Sequence, residues 1–324
     1  MTLSNLPPQV TVFGGSGFVG RHVVRALAKR GYRIRVAVRR PDLAGFLQPI
    51  GGLGQISFVQ ANLRYRNSIE RAVHDADHVV NCVGILFEKG RNRFDAVQDF
   101  GARAVAEAAR ARGATLTHIS AIGADVNSAS DYARSKGRGE AGIRQVLPEA
   151  VILRPSIIFG PEDGFFNKFA NMSRFAPALP LVGGGHTKFQ PVYVTDVAEA
   201  VARAVDGQAV GGATYELGGP EILSFRQCLE LMLDVIDRKR ALVSLPFGVA
   251  SLIGSLASLV PFVDPPLTPD QVKLLRSDNI VSDEAKKDGR TIQALGITPA
   301  LAEAILPSYL VRYRPQGQFT RGTA

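Results

Sequence analysis

The chain has 324 residues, 46% of them hydrophobic, enough for one large α/β domain with a smaller one appended, or for two domains. It contains two cysteines, Cys82 and Cys228, and no apolar segment near Met1 resembles a secretion signal, so we expect a reducing compartment. The formal net charge of +9 comes from dispersed Lys and Arg residues with few interleaved aromatics. This pattern favours an anionic membrane or an acidic protein as partner, and we do not expect nucleic acid to be one.

The first predicted element is a strand that ends directly in glycines. Residues 10–20 have the sequence Val-Thr-Val-Phe-Gly-Gly-Ser-Gly-Phe-Val-Gly. A sharp strand-to-helix turn leaves backbone N–H groups at a helix N-terminus, and glycines let a pyrophosphate approach them. We therefore predict a helix from about Arg21 to Arg30 and a dinucleotide-binding turn; the alternative is a glycine-rich turn without ligand. The predicted contacts are Gly14, Ser16, Gly17, Phe18, Val19 and Gly20.

Further strands and helices alternate along the first half of the chain. The predicted strands are Arg33–Val38, Ile56–Val59, His78–Asn81, Leu116–Ile119 and Val151–Leu153. Helical apolar spacing lies between most of them, at Asn67–His74, Asp95–Arg112 and Ser130–Val146. This alternation predicts an α/β protein with a Rossmann-type, doubly wound parallel sheet. Such sheets bind ligands at the carboxyl ends of their strands.

The pattern changes beyond residue 154, where prolines and glycines become dense. We predict a Rossmann-type NAD(P)-binding domain over 1–165, its sheet completed by parts of 185–220. A smaller C-terminal α/β domain for a substrate or partner covers 166–310, with interleaved segments. Residues 311–324 are predicted to form a basic tail of low structural content.

Residues 241–263 contain no charged side chain. Pro246 and Pro261 leave about 14 residues of possible helix between them, whereas a bilayer span needs roughly 20. Two alternatives stay open. Either the helix is buried in the second domain, or residues 245–263 contact a membrane surface or a membrane-embedded partner, with Arg238, Lys239 and Arg240 beside lipid headgroups.

The end of the second strand indicates the cofactor. An acidic residue about 20 positions past the glycines selects NAD, whereas arginine accommodates the extra phosphate of NADP. Here Arg39 and Arg40 follow the strand directly, and guanidinium groups bind phosphate in a fork-like geometry. We predict NADP(H) in preference to NAD(H); the alternative is that one or both arginines lie on the solvated surface.

Tyr132 and Lys136 stand four residues apart in a predicted helix, so that both side chains share one face. A lysine ammonium near a phenol stabilises the phenolate and lowers the tyrosine pKa, which prepares it for general acid or base chemistry. The lysine can also hold the nicotinamide ribose. The five histidines show no metal-ligand spacing, and we predict no metal site.

Four motifs together resemble the extended short-chain dehydrogenase/reductase superfamily. They are Gly14-x-x-Gly17-x-x-Gly20, Asn81-Cys82-Val83-Gly84, Tyr132-x-x-x-Lys136, and Arg154-Pro155-Ser156 with Phe159-Gly160-Pro161. The resemblance covers about residues 8–200. The runs at 153–163 and 190–198 look most like the atypical branch containing the nucleotide-binding accessory subunit of respiratory complex I. That resemblance implies a tightly held NADPH beside the membrane and the quinone entrance. The bound cofactor would stabilise the assembly, and no substrate would be turned over.

The resemblance also assigns further residues to the cofactor. Asn62 stands where the superfamily carries Asp to hold the adenine amino group, and its amide oxygen could accept that hydrogen bond. Cys82 stands near adenine and ribose; a small buried residue is the simpler interpretation. The cofactor set comprises Asn62, Leu63, Cys82, Val83, Gly84, Ser120, Tyr132, Lys136, Pro155, Ser156 and Ile157.

The catalytic set departs from the superfamily pattern. A second Ser or Thr usually follows the fifth strand, but Ser120 is followed by Ala121 and Ile122. If the chain is active, we expect Tyr132, Lys136 and Ser120 to carry catalysis.

These observations predict an NADPH-binding accessory subunit or assembly factor of complex I. It would bind peripheral-arm subunits on the cytoplasmic face of a bacterial inner membrane. The alternative is an active NADP-dependent reductase or epimerase in the soluble cytoplasm.

Overall fold

The computed structural model describes residues 6–257 and 267–315, with side chains for all of these except 256 and 257. The strands are β1 (Gln9–Phe13), β2 (Arg33–Val38), β3 (Ile56–Gln60), β4 (His78–Asn81), β5 (Thr115–Ile119), β6 (Val151–Pro155), β7 (Ile158–Phe159), β8 (Ala178–Val182), β9 (Lys188–Phe189), β10 (Val192–Tyr193), β11 (Thr214–Leu217), β12 (Leu223–Ser224) and β13 (Ala241–Leu245). The helices are α1 (Phe18–Lys29), α2 (Arg66–Val73), α3 (Phe100–Arg112), α4 (Asp131–Val146), α5 (Phe166–Phe175), α6 (Val194–Val205), α7 (Phe225–Val235), α8 (Phe247–Ala257), α9 (Pro269–Leu274), α10 (Asp283–Lys287), α11 (Ala302–Ile305) and α12 (Pro307–Leu310).

Seven strands form one parallel sheet in the order β11-β6-β5-β4-β1-β2-β3. The chain winds outward from β1 to β3 on one side and from β4 to β6 on the other. The predicted α/β fold with a doubly wound parallel sheet is therefore confirmed. The strand order reverses between β1 and β4, and the cleft at the carboxyl ends of these strands is where such sheets bind ligands.

The sheet forms because its central strands are apolar on both faces, as parallel strands between two helical layers require. Every residue of β1 is buried. One helical layer packs through small residues, among them Ala102, Ala106 and Ala109 of α3. At Gly139 of α4 an added Cβ would lie 2.1 Å from the Gln98 carbonyl oxygen. Small residues therefore let α3 and α4 approach closely.

The chain groups into two compact units. The first comprises Met1–Pro155, Val194–Leu217 and Asp283–Thr298, and it contains the seven-stranded sheet. The second comprises Ser156–Tyr193, Gly218–Ser282 and Pro299–Ala324. Its core contains an aromatic cluster that includes Phe159, Phe166, Phe189 and Phe225. The domain limits given above stay predictions.

Helix boundaries differ from the sequence expectation in two places. Helix α1 begins at Phe18, three residues before the predicted Arg21, because Gly17 already occupies the N-cap position. The predicted helix Asp95–Arg112 begins as a π-helical turn over Asp95–Asp99 before α3 continues it. Such turns insert a residue into the helical ladder without ending the helix.

The charge-free segment forms strand β13 and helix α8 before the described residues stop at 257. None of the helices in the described part of the chain is both long and apolar enough to cross a membrane. Residues 258–263 of that segment and 316–324 of the predicted tail lie outside the described residues.

Candidate dinucleotide site

The glycine turn between β1 and α1 lets other groups come close to its backbone. Gly14 has a φ of +75°, a left-handed conformation in which a side chain would be strained. An added Cβ at Gly20 would lie 2.1 Å from the Gly14 carbonyl oxygen. Gly17 provides no side-chain cap for α1, and no acidic residue lies in the first helical turn. These features leave the helix N-terminus suited to a phosphate.

Arg21, in the first turn of α1, contacts the glycine turn and was missed by the sequence analysis. Its guanidinium donates to the carbonyl oxygens of Gly17 at 3.2 Å and Ser16 at 3.1 Å. It also lies 4.9 Å from the centroid of the Phe46 ring. Arg21 therefore stabilises the glycine turn through these hydrogen bonds, and it adds positive charge beside the helix N-terminus.

The two arginines after β2 are exposed and have different partners. Arg39 Nη1 donates to Asn92 Oδ1 at 3.1 Å. Arg40 forms an ion pair with Asp42, with Nη2 and Oδ2 2.7 Å apart. Because both members of that pair are largely exposed, a phosphate can compete for Arg40 at little cost. Arg39, whose hydrogen-bond partner is a neutral amide, is therefore the more available of the two guanidinium groups for a phosphate.

Asn62 and Leu63 follow β3, and the next residue, Arg64, turns back onto them. Asn62 Oδ1 accepts hydrogen bonds from Arg64 N at 3.2 Å and Arg64 Nε at 3.3 Å. Leu63 is buried in the core beside α3. In the structure, Arg64 therefore occupies the amide oxygen that the sequence analysis offered to the adenine amino group.

Residues after β4 lie against the glycine turn and against α4. An added Cβ at Gly14 would lie 3.0 Å from Val83 Cγ2, and one at Gly84 would lie 3.2 Å from Lys136 Nζ. Removal from water raises the pKa of the Cys82 thiol to about 12. A thiol with that pKa carries almost no thiolate at neutral pH, which favours a packing role for Cys82 over redox sensing.

Helix α4 positions Tyr132 and Lys136 through the Ser130 N-cap, whose hydroxyl accepts from Ala133 N at 3.3 Å. Lys136 is 4% exposed, and its Nζ donates to the Ile119 carbonyl oxygen at 3.1 Å. Burial lowers the pKa of Lys136 to about 8, although the Glu140 carboxylate opposes that shift. The ammonium is thus held at the carboxyl end of β5.

Tyr132 differs from the sequence expectation. Burial raises the pKa of its phenol to about 12, whereas the Lys136 pairing predicted a lowered value. The Phe94 ring lies edge-on to Tyr132 at 6.0 Å between centroids. Apolar surroundings outweigh the lysine at this phenol.

One side chain on β5 and one just after it are buried and make no hydrogen bonds to the described part of the chain. Ser120 Oγ has no partner among the described residues, and neither does either ring nitrogen of His118. Ser120 is 3% exposed and His118 2% exposed. Buried polar atoms without partners are rare and mark a place for a ligand or water. The sequence analysis had assigned His118 no site role, since its register is visible only in the structure.

The remaining predicted contacts divide between the two units. Pro155 ends β6, and its carbonyl oxygen accepts from Ile122 N at 3.0 Å in the first unit. In the second unit, Ser156 Oγ lies 2.8 Å from both the backbone oxygen and Oδ1 of Asn279. Ile157 accepts from Val192 N at 3.0 Å through its backbone oxygen.

The structure brings several predicted residues together at the carboxyl ends of the strands. Val83 meets the glycine turn at Gly14, and Gly84 meets Lys136. The donor set fits a dinucleotide, because this edge carries an uncapped helix N-terminus, arginines, and the Ser120 hydroxyl, which makes no hydrogen bond to the residues that the structure describes. Among residues 6–257 and 267–315, no three His, Cys, Asp or Glu side chains group as a metal site would require.

The parallel sheet and its glycine turn define a Rossmann-type α/β protein. The model of the NAD dependent epimerase/dehydratase family matches residues 10–218, and the chain belongs to this family. The resemblance to the extended short-chain dehydrogenases and reductases is thereby confirmed.

Two relatives and one solved structure show how far the similarity extends. The chain is 35% identical to "NADH dehydrogenase [ubiquinone] 1 alpha subcomplex subunit 9, mitochondrial" of Arabidopsis thaliana, over 95% of this chain and 78% of that protein. It is 34% identical to a ceramide reductase of Caulobacter vibrioides, over 60% of this chain and 59% of that protein. The UDP-glucose 4-epimerase of Thermus thermophilus, solved with NAD, shares the fold with a TM-score of 0.66 and 20% identity, over 95% of this chain and 99% of that one.

Proposed function

We propose that this chain is an NADPH-binding accessory subunit or assembly factor of a complex I-type NADH dehydrogenase. The observation that carries the proposal is the 35% identity to a complex I subunit over 95% of the chain. An alignment of that extent includes both units and not the nucleotide-binding fold alone. The proposed partners are peripheral-arm subunits.

The proposed cofactor is NADP(H), with NAD(H) second. The glycine turn would hold the pyrophosphate with its backbone. Arg39 and Arg40 would hold the 2′-phosphate, and their exposed guanidinium groups support that role. Lys136 would hold the nicotinamide ribose, and when bound the cofactor supplies hydride chemistry at the nicotinamide.

We propose that the cofactor is structural. A phenol with a pKa near 12 is a poor general base at neutral pH. Ser120 is followed by Ala121 and Ile122, so that the hydroxyl usually expected there is missing. The missing hydroxyl supports retention of a cofactor without turnover, and the high phenol pKa disfavours alcohol oxidation, the direction in which Tyr132 would have to act as a base.

We further propose a peripheral position on the cytoplasmic face of a bacterial inner membrane, with α8 against the lipid. Val249, Leu252 and Ile253 of this helix are 46%, 61% and 45% exposed. This exposure favours the interface alternative over a helix buried in its own domain. Of the preceding cations, Lys239 is exposed, whereas Arg238 and Arg240 donate to backbone carbonyl oxygens.

The second candidate is an NADP-dependent reductase or epimerase. Retention of Tyr132 and Lys136 on one face of α4 favours it, as does the similarity to a ceramide reductase over 60% of the chain. In this function Tyr132 would transfer the proton and Ser120 would hydrogen-bond the substrate oxygen.

Cofactor retention and turnover separate the two candidates. We expect the purified chain to keep about one NADPH through gel filtration and to transfer no hydride to added carbonyl or quinone acceptors. Tyr132→Phe should keep the cofactor, because it leaves Lys136 in place, whereas Lys136→Met should lose it. Rapid exchange of NADP⁺, with a hydride transfer that Tyr132→Phe abolishes, would overturn the accessory-subunit proposal in favour of the enzyme.

A further inference from the structure

The side-chain amide of Asn62 has a fixed orientation. Its Oδ1 accepts from Arg64 N and Arg64 Nε at 3.2 and 3.3 Å. Both partners can only donate, because a backbone N–H offers no lone pair here and a guanidinium stays protonated. The amide end that faces Arg64 is therefore oxygen, and the end that points away is the NH₂ group.

Neighbouring contacts hold this arrangement in place. Arg64 Nη1 donates to the Arg91 carbonyl oxygen at 3.1 Å. The Ser68 hydroxyl bridges the backbone of Asn62, accepting from its N–H at 3.0 Å and donating to its carbonyl oxygen at 2.9 Å. Turning the amide over would set its NH₂ group against two donors. Asn62 Nδ2 makes no hydrogen bond within the part of the chain that the structure describes, and so it is available to a ligand.

The place of Asn62 in the sheet indicates which part of a dinucleotide it meets. The glycine turn after β1 receives the pyrophosphate, and the end of β2 receives the ribose. Strand β3 lies one position further out, at a strand spacing of about 4.8 Å. The base attached to that ribose would therefore reach the end of β3, where Asn62 stands.

We propose that Asn62 donates its NH₂ group to the six-position edge of the purine and so does not select the amino group of adenine. An amino group there would face another donor, whereas the oxygen of a 6-oxopurine would accept. The adenine ring nitrogens still offer acceptors, so the adenine dinucleotide still binds. A hypoxanthine dinucleotide, with oxygen at position six, binds at least as well.

This inference rests on the proposed dinucleotide function, and a competition experiment tests the two separately. The whole chain is incubated with an equimolar mixture of NADPH and its hypoxanthine analogue, gel filtered, and the released nucleotides are separated by chromatography. We expect the wild-type chain to carry the hypoxanthine form at a ratio of one or more. Asn62→Asp accepts from the amino group, and it should shift the ratio at least tenfold toward adenine.

Asn67→Asp is the matched control, because it adds the same charge at an exposed position of α2 and should leave the ratio unchanged. A hypoxanthine-to-adenine ratio below one in the wild-type chain would overturn the inference and leave the proposed function standing. An equal ratio shift in Asn62→Asp and Asn67→Asp would also overturn it. If neither nucleotide binds the wild-type chain, both proposals fail. The wild-type ratio decides alone if Asn62→Asp does not fold.

Discussion

His118 is the most strongly perturbed base in the sheet. It stands in register with Asn81 of β4 on one side and Ile152 of β6 on the other. Burial lowers the pKa of its imidazole to about 3, and the nearby Lys136 ammonium adds to this shift. The folded chain therefore keeps His118 neutral throughout the physiological range.

This shift makes stability depend on pH. The unfolded imidazole binds a proton below about pH 6.5, whereas the folded one stays neutral down to about pH 3. Its stabilising contribution is therefore complete above pH 6.5 and is lost as the pH falls toward 3. We expect the free energy of unfolding to drop by about 2 kcal/mol more in the wild-type chain than in His118→Leu between pH 7 and pH 5.

Urea unfolding at the two pH values measures this difference. Exposed His186 supplies the control, since His186→Gln should keep the wild-type dependence. Parallel pH profiles for the wild-type chain and His118→Leu would contradict the assigned burial.

Residue types at the candidate site were largely predictable, but their partners were not. The sequence proposed the glycine turn, Arg39 and Lys136 as site residues, because the spacing of these residues along the chain indicates the backbone conformation around them. It did not indicate that Arg64 occupies the Asn62 oxygen or that apolar surroundings raise the Tyr132 pKa. Those outcomes depend on side-chain orientation and desolvation, which spacing does not encode.

At the scale of elements, strands were predicted better than helix ends. The strand Arg33–Val38 has the predicted limits, because period-two alternation ends abruptly at Arg39 and Arg40. Helix α1 begins earlier than its apolar spacing suggested, since a glycine N-cap leaves no side-chain signal. The π-helical turn before α3 lies close to α4, with the Gln98 carbonyl oxygen against Gly139, and it could not be derived from periodicity.

Helix α8 carries a prediction of its own. Its exposed Leu252 and Ile253 should insert into an anionic bilayer surface, where each buried apolar side chain contributes about 1.5–3 kcal/mol. Leu252→Asp with Ile253→Asp should abolish flotation with liposomes that contain anionic lipid.

The control for this helix lies in the first unit. Val210 is 68% exposed, so Val210→Asp adds a charge at an exposed apolar position outside α8 and should leave flotation unchanged. Equal flotation of the wild-type chain and the α8 double variant would remove the membrane assignment.

At the scale of the whole molecule, the doubly wound parallel sheet was predictable because the apolar pattern that indicates each strand or helix lies within that element. The interleaving of the chain was harder to predict. Strand β11 joins the sheet next to β6, and residues 283–298 return to the first unit. The sequence analysis expected the sheet to be completed from residues 185–220, the range that contains β11, and it gave no limits for the return at 283–298, because such long-range returns leave only weak local patterns.

Assembly with complex I is the central claim, and native electrophoresis tests it most directly. Membranes of the source organism are solubilised gently, resolved on a native gel and analysed by mass spectrometry. We expect this chain to migrate with the NADH dehydrogenase band and, in Lys136→Met, to leave that band if bound NADPH stabilises the association. Recovery of the wild-type chain in the soluble fraction alone, with none in that band, would contradict the account and favour the reductase.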